Sequence, residues 1–371
     1  MLTPFDDYPV HQTALPVAHV ASGDPNHYDR DWFNGYRDDF YFAAGMAVYP
    51  NRGIIDAAFS TVHDGVQRSV FASARMPADR GETRVGPLSI EIVEPLRTTR
   101  VRADSAELGI EADVTFTART VALEEPRQTM TTGNKIMMDS TRLTQWGTWS
   151  GSITTGGEQI ALDALYGTRD RSWGVRPVGT PAGAAPATDL PQLFFLWAPI
   201  NFEDLCTHFL CFERANGDRI VSSQATLDVI GPGDLTWNDD TKILQLAGTV
   251  HEVRWAPGLR RSDGATLRMM RHDGGEERIE LEPLLTFRMR GLGYMHPTRG
   301  HGQWHGEESV VAEEHKVSEL DNVEPWNIHI QQVMRARWGD REGLGVLEQL
   351  AFGEHHPSGL TGIIDGYRPP T

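Results

Sequence analysis

The 371-residue chain is short of lysine, of cysteine and of long apolar runs, and each shortage removes a class of partner or fold. Only Lys135, Lys242 and Lys316 are lysines, and 51 acidic against 34 basic side chains leave a formal net charge of -17. Nucleic-acid backbones and anionic membrane surfaces are met by fields of Lys and Arg. The balance here argues against both as partners. Two cysteines, Cys206 and Cys211, are too few for a disulfide framework. They sit five apart in the strand-like run Leu205 to Phe212, so they project to opposite faces, which leaves neither an intrastrand bridge nor a Cys-rich zinc site. No run reaches the roughly 18 apolar residues of a membrane span. The longest, Leu193 to Ile200, is broken by Pro199. Met1 to Val10 lacks the basic flank and apolar stretch of a secretory signal, so a cytoplasmic location is expected.

What is present is period two. Phe40 to Tyr49, Ile54 to Val62, Val66 to Arg75, Leu88 to Val93, Ile110 to Ala118, Trp146 to Thr154, Gln159 to Tyr166 and Cys206 to Arg214 all read as strands. Asp64-Gly65, Gly156-Gly157, Asn216-Gly217 and Asp273-Gly274-Gly275 separate them at hairpin distances, with residue types that accept the positive φ of tight turns. The fold class is therefore all-β, an antiparallel meander; Asn327 to Trp338 is the most helix-like stretch. Pro177 to Pro191, rich in Pro, Gly and Ala, reads as a linker. It divides the chain into an N-terminal arm (1–30), a first β domain (31–176) and a second (192–371). Four features recur in order across the linker. Phe40-Tyr41-Phe42 matches Phe194-Phe195-Leu196, and Asp64-Gly65 matches Asn216-Gly217. Gly147-x-Trp149-x-Gly151 matches Gly302-x-Trp304-x-Gly306, and Tyr166 to Ser172 matches Phe352 to Ser358. A duplicated β unit is expected, each copy a barrel or curled sandwich enclosing a cavity.

The densest polar signal is Gly167-Thr-Arg-Asp170-Arg171-Ser-Trp173-Gly-Val-Arg176 at a strand end. By parity Asp170, Ser172 and Arg176 share one face and Arg169, Arg171 and Trp173 the other, so one set can line a cavity while the other braces the structure. In a functional reading Asp170 is a general acid or base, Arg171 or Arg176 tunes its pKa or holds a phenolate, and Tyr166 is a second donor. The blander reading, a buried Asp–Arg network locking the strand end, weighs somewhat more on residue chemistry alone. Together with Gly147-x-Trp149, Gly151-Ser-Ile and Ile160, this run resembles the tandem lipocalin-like family of hydroxyneurosporene synthases (carotenoid 1,2-hydratases) and related cyclases. The resemblance covers about thirty residues, and Arg-Asp-Arg-Ser-Trp-Gly is its distinctive part. The second half departs from it, with His356 where Asp170 stands and Gly359 where Trp173 stands. The resemblance implies two lipocalin-like β domains, a hydrophobic pocket at their junction and cofactor-free proton chemistry on alkenes, phenols or polyenes.

Seven of the fourteen histidines lie between His296 and His356. His301 and His305 share a strand face and, with Glu307 or Glu308, are the weak candidates for a metal; solvated or core histidines are the simpler reading. His356, at the repeat position of Asp170, is a candidate acid or base, and His208 a candidate pocket donor; His63 sits at an exposed hairpin tip. Trp149, Trp173, Trp197, Trp304 and Tyr41 are candidate ligand walls, although large aromatics mostly fill cores. Asp24 to Arg30 is a surface loop, a lid or an oligomer arm. No Gly-x-Ser-x-Gly elbow, phosphate loop or Rossmann fingerprint is found. The leading expectation is a cofactor-independent lyase or hydratase acting on a small hydrophobic aromatic or isoprenoid molecule. The alternatives are a carrier or sensor of a lipid, steroid or aromatic ligand, and a His-metal hydrolase.

Overall fold

Residues 7–9, 18–132, 135–177 and 192–369 are described by the computed structural model, and they form two antiparallel sheets, of 13 and 10 strands. The expected all-β class holds. Turn chemistry sets the hairpins: Asp64 and Gly65 both have positive φ between Ile54–His63 and Val66–Arg75, as do Gly156 and Gly157 between Lys135–Thr155 and Glu158–Val175.

The two sheets repeat one topology. In the first, the opening strand His27–Arg37 lies between Phe40–Tyr49 and the second arm of a later hairpin, Glu158–Val175. In the second, Leu193–Trp197 lies between Leu205–Glu213 and the second arm of a later hairpin, Arg341–Phe352. Both opening strands are buried on both faces, and alternate residues serve different cores. Phe33 and Trp149 fill the first sheet, Phe194 and Leu196 the second. Trp32, Tyr41, Phe195, Trp197, Phe212 and Phe287 meet in a third core between them. That double burial is why the apolar pattern loses its alternation there.

The most helix-like stretch by sequence, Asn327 to Trp338, conforms to the all-β class: His329–Trp338 is a strand, and its first six residues are all buried, which hides the two-residue period. Other expectations are corrected. The arm 1–30 gives way to a strand already at His27. The second half also crosses over, because Glu308–Lys316 completes the edge of the first sheet beside Val66–Arg75. Gly302-x-Trp304-x-Gly306 lies in the irregular connection before that strand, not in a strand like Gly147-x-Trp149-x-Gly151. Residues 178–191 of the linker lie outside the described residues.

Candidate functional site

Asp170 stands on Glu158–Val175, paired directly with Trp32 on one side and Thr144 on the other. One step along the same face, Ser172 lies between Arg30 and Arg142. Residues opposite one another, or two apart, share a face of a sheet. Arg142, Asp170, Trp32 and Arg30 therefore make one patch, and Trp32 places it toward the second sheet. The second sheet answers with a patch of the same design: Trp197 is opposite Glu348, which is opposite Gln331, and Phe195 is opposite Leu350, which is opposite His329. The patches touch. The Arg142 guanidinium lies 5.0 Å from the Trp197 ring centre and 5.8 Å from that of Phe195. Asn34 Nδ2 and Tyr41 Oη both donate to Gln331 Oε1, at 3.0 and 2.6 Å.

The two carboxyl groups of these patches have opposite environments. Asp170 is half-buried and takes no hydrogen bond from any described residue. Burial pushes its pKa up to about 6; Arg142 and Arg30 pull it down, and the charges of Glu348 and Glu125 push it further up. Glu348 accepts from His329 Nε2 at 2.8 Å and from Gln331 Nε2 at 2.6 Å. Burial opposes its ionisation too, but the His329 and Gln331 hydrogen bonds and the charges of His329 and Arg142 outweigh it and hold the carboxyl below its usual range. Arg142 is anchored through Nε to Glu125 at 2.9 Å. Its Nη2 is buried without a partner among the described residues, as are Trp32 Nε1 and Trp197 Nε1. Buried donors of this kind call for an acceptor, such as water or a ligand oxygen.

The remaining sequence candidates are scattered. Arg176 stacks on Tyr28 at 4.0 Å and donates to Tyr294 Oη at 3.2 Å rather than to Asp170. Arg171 points the other way, into the first sheet, where it is buried between Asp29 (2.7 Å) and Asp31. It is therefore not beside Asp170, and Arg169 on the same face pairs with Asp7. Tyr166 lies four residues from Asp170, about 13 Å along a strand, under the Arg119 guanidinium. Trp149 is sealed in the first core, its Nε1 donating to Asn34 O at 2.8 Å. Trp173 packs toward Leu96 and Leu143, off the junction. Trp304 is 49% exposed beneath Arg75. Trp197 and Tyr41 do lie in the junction, and Tyr166 packs against the same core.

His208 is buried edge-on to Trp146, 3.7 Å from Glu125, and burial pushes its pKa down to about 4, so it is neutral. His356 begins a short turn on the surface, its side chain 64% exposed and 3.5 Å from Glu354, so it does not take the place of Asp170. His301 is neutral, driven down by burial and by Arg30, with Nε2 3.1 Å from the Gly291 carbonyl. Neither it nor His305 belongs to a three-ligand group among the described residues. Both line a narrow cleft with Arg30, Gly45, Ala58 and Phe71 that does not reach Asp170. Arg142, Arg30, Trp32, Glu348 and His329 were not among the sequence candidates.

Fold and site together define a class: two tandem lipocalin-like curled sheets packed face to face, with a polar patch between them. The chain belongs to DUF8625, a family of unknown function, whose profile matches residues 2–361. Its fold is similar to the solved structure of a protein provisionally designated AttH from Nitrosomonas europaea, with TM-score 0.53 and 13% identity over 87% of this chain and 92% of that one. At that identity the likeness shows the fold alone. No curated protein is matched by the sequence. Among the described residues no helix is long and apolar enough to cross a membrane.

Proposed function

We propose that the junction carries out proton transfer on a small hydrophobic molecule, as a cofactor-independent lyase or hydratase of an aromatic (phenolic) or isoprenoid substrate. One observation carries the reading. Two carboxyl groups, on matching strands of the two sheets, have proton affinities pushed in opposite directions: Asp170 up to about 6, Glu348 down. Such a split supplies an acid and a base at one pH. At pH 7 roughly a tenth of Asp170 is protonated, and it can also accept a proton, since its pKa lies within about one unit of that pH. In a hydration, Asp170 delivers its proton to the alkene carbon, Glu348 stabilises the cation, and water adds to that cation and gives a proton back to the Asp170 carboxylate. In an elimination of water, the Asp170 carboxylate removes the phenolic proton, Arg142 neutralises the developing phenolate, and the leaving hydroxyl departs with the C–O bonding pair, taking the proton from Asp170 to leave as water. Trp32 and Trp197 wall the apolar part. The resemblance of the Arg169 to Gly174 run to the hydroxyneurosporene synthases supports the same chemistry.

The test uses a fluorescent apolar probe, anilinonaphthalenesulfonate, displaced by a panel of phenolic and isoprenoid compounds. Any compound that displaces it is incubated in D2O with wild type and with Asp170→Asn, and deuterium incorporation or product is read by mass spectrometry. Turnover by the wild type, lost in the variant while displacement persists, supports the reading. Binding without exchange or product in either protein would leave a carrier instead. The carrier reading has its own support, because the cleft beside Arg30 stops short of Asp170.

A further inference from the structure

The second sheet holds a cluster of metal-ligand side chains that plays no part in the junction. Cys211 and Glu213 lie two apart near the end of Leu205–Glu213, with Cys211 in the core of this sheet. His251 comes from Gly248–Trp255 at the opposite edge, a strand with no ladder to Leu205–Glu213. Curling brings the two edges together, and Arg219 crosses the same seam to the Thr249 carbonyl. A Cys211 sulfur, a Glu213 oxygen and a His251 ring nitrogen all lie within 4.8 Å of one another. The Glu213–His251 contact is 3.0 Å, through Oε1 and Nε2.

We propose that Cys211, Glu213 and His251 bind a divalent transition-metal ion of the zinc type, which fastens the seam of the second sheet. Thiolate, imidazole and carboxylate are the donor types zinc takes, and three of them leave a fourth position for water or a shift of His355. The outer support is in place. His355 Nε2 lies 3.1 Å from the other oxygen of Glu213, and its Nδ1 is 2.8 Å from Ser358 Oγ. Partners of this kind fix a ligating carboxylate.

The charge balance favours a dication. Cys211 loses its thiol proton to solvent as the metal–sulfur bond forms, and His251 binds through Nε2 as its proton moves to Nδ1. One proton is released per ion, and thiolate plus carboxylate neutralise the 2+ charge in a buried place. Arg219 is the competitor, its Nε 3.2 Å from Glu213 Oε1. Its side chain is 30% exposed, so it can turn toward solvent while keeping Thr249.

The experiment is metal analysis of the purified full-length protein, followed by Zn2+ and Co2+ titration. The expected result is one zinc per chain, one proton released per zinc, and a thiolate-to-cobalt charge-transfer band in the near ultraviolet. Cys211→Ser should abolish the band, and His355→Asn should weaken binding about 10–100-fold. Should Cys211→Ser fail to fold, His251→Gln and the proton count on wild type still decide. The proposal is overturned if neither ion is retained, or if binding survives Cys211→Ser and His251→Gln but is lost in His63→Gln/Glu158→Gln. That last pattern would put the ion at the group formed by exposed Asp64 and Glu158 with His63, which is buried and not exposed as its place beside the hairpin tip suggested.

Discussion

Asp170 and Glu348 occupy matching places in the two halves, each on the second arm of the late hairpin and each opposite a tryptophan of the opening strand, Trp32 and Trp197. Their surroundings differ in one respect that decides their chemistry. Glu348 has His329 and Gln331 beside it on the next strand, whereas Asp170 has Thr144, whose hydroxyl is taken by Glu125. The repeated topology brings a carboxyl group from each half to one junction; the neighbouring strand gives one of them hydrogen-bond donors that favour its charge and, among the described residues, gives the other none. The halves are alike in backbone and complementary in charge.

The comparison is broken most completely at Asp170. Asp170→Asn should lower any proton-transfer activity by about 10²–10⁴-fold, the range for losing a general acid or base, while probe binding persists. The matching measurement is the rate of product formation or deuterium exchange.

A contrasting large effect lies on the opposite face of the same strand. Arg171→Met leaves Asp29 and Asp31 buried without their shared cation and should cost about 3–5 kcal/mol of stability, read by urea unfolding. Its signature is lower stability with no shift in the titration of Asp170 under conditions where the variant is still folded. If the variant were fully stable and only the pH profile moved, the assignment of the two faces would be wrong.

Next in size is pH. Asp170 titrates near 6 when folded and near its ordinary 3.8 when unfolded, so the folded state holds the proton more tightly. Stability from this group is present below about pH 4 and falls as pH rises to 6; above that the ionised side chain costs at most about 3 kcal/mol, less where solvent reaches it. Asp170→Asn should therefore be more stable than wild type at pH 8 and no different at pH 3.5. Glu348 has the opposite sign. Its folded pKa is lowered, so its contribution is present above the unfolded value and is lost as pH falls through the folded one. Glu348→Gln should lose stability at pH 8, the gap closing in acid. It should also shift the Asp170 titration to lower pH, because the Glu348 charge raises it. An Asp170 carbon-13 carboxyl titration that does not move would uncouple the two patches.

How far these features could be read beforehand follows from where their causes lie. Hairpins set by Asp64-Gly65 and Gly156-Gly157 are local, and so is the parity that separates Asp170 from Arg171. Which face looks inward is not local, because Trp32 and Phe33 are both buried, one in the junction and one in the first core. Arg142, Arg30 and Glu348 reach Asp170 only through strand register and the packing of one sheet on the other. The repeat was legible as a repeat, but its alignment was not. Matching Gly302-x-Trp304-x-Gly306 to Gly147-x-Trp149-x-Gly151 paired an irregular connection with a strand, and carrying that offset forward set His356 against Asp170. Strand order sets Glu348 there instead.

The smallest predicted effect tests that realignment. The His356 side chain is mostly exposed and ion-pairs with Glu354, its backbone N–H donates to the Ala215 carbonyl, and it lies beyond the last strand. His356→Ala should change stability by no more than about 0.5 kcal/mol, as surface substitutions do, and should leave both turnover and its pH dependence unaltered. Its neighbour His355 provides the internal control: buried, stacked on Phe194 at 3.6 Å and bonded to Glu213, it should cost stability when replaced by alanine. A His356→Ala variant that lost activity while His355→Ala kept it would restore the linear alignment of the halves and remove Glu348 as the partner of Asp170.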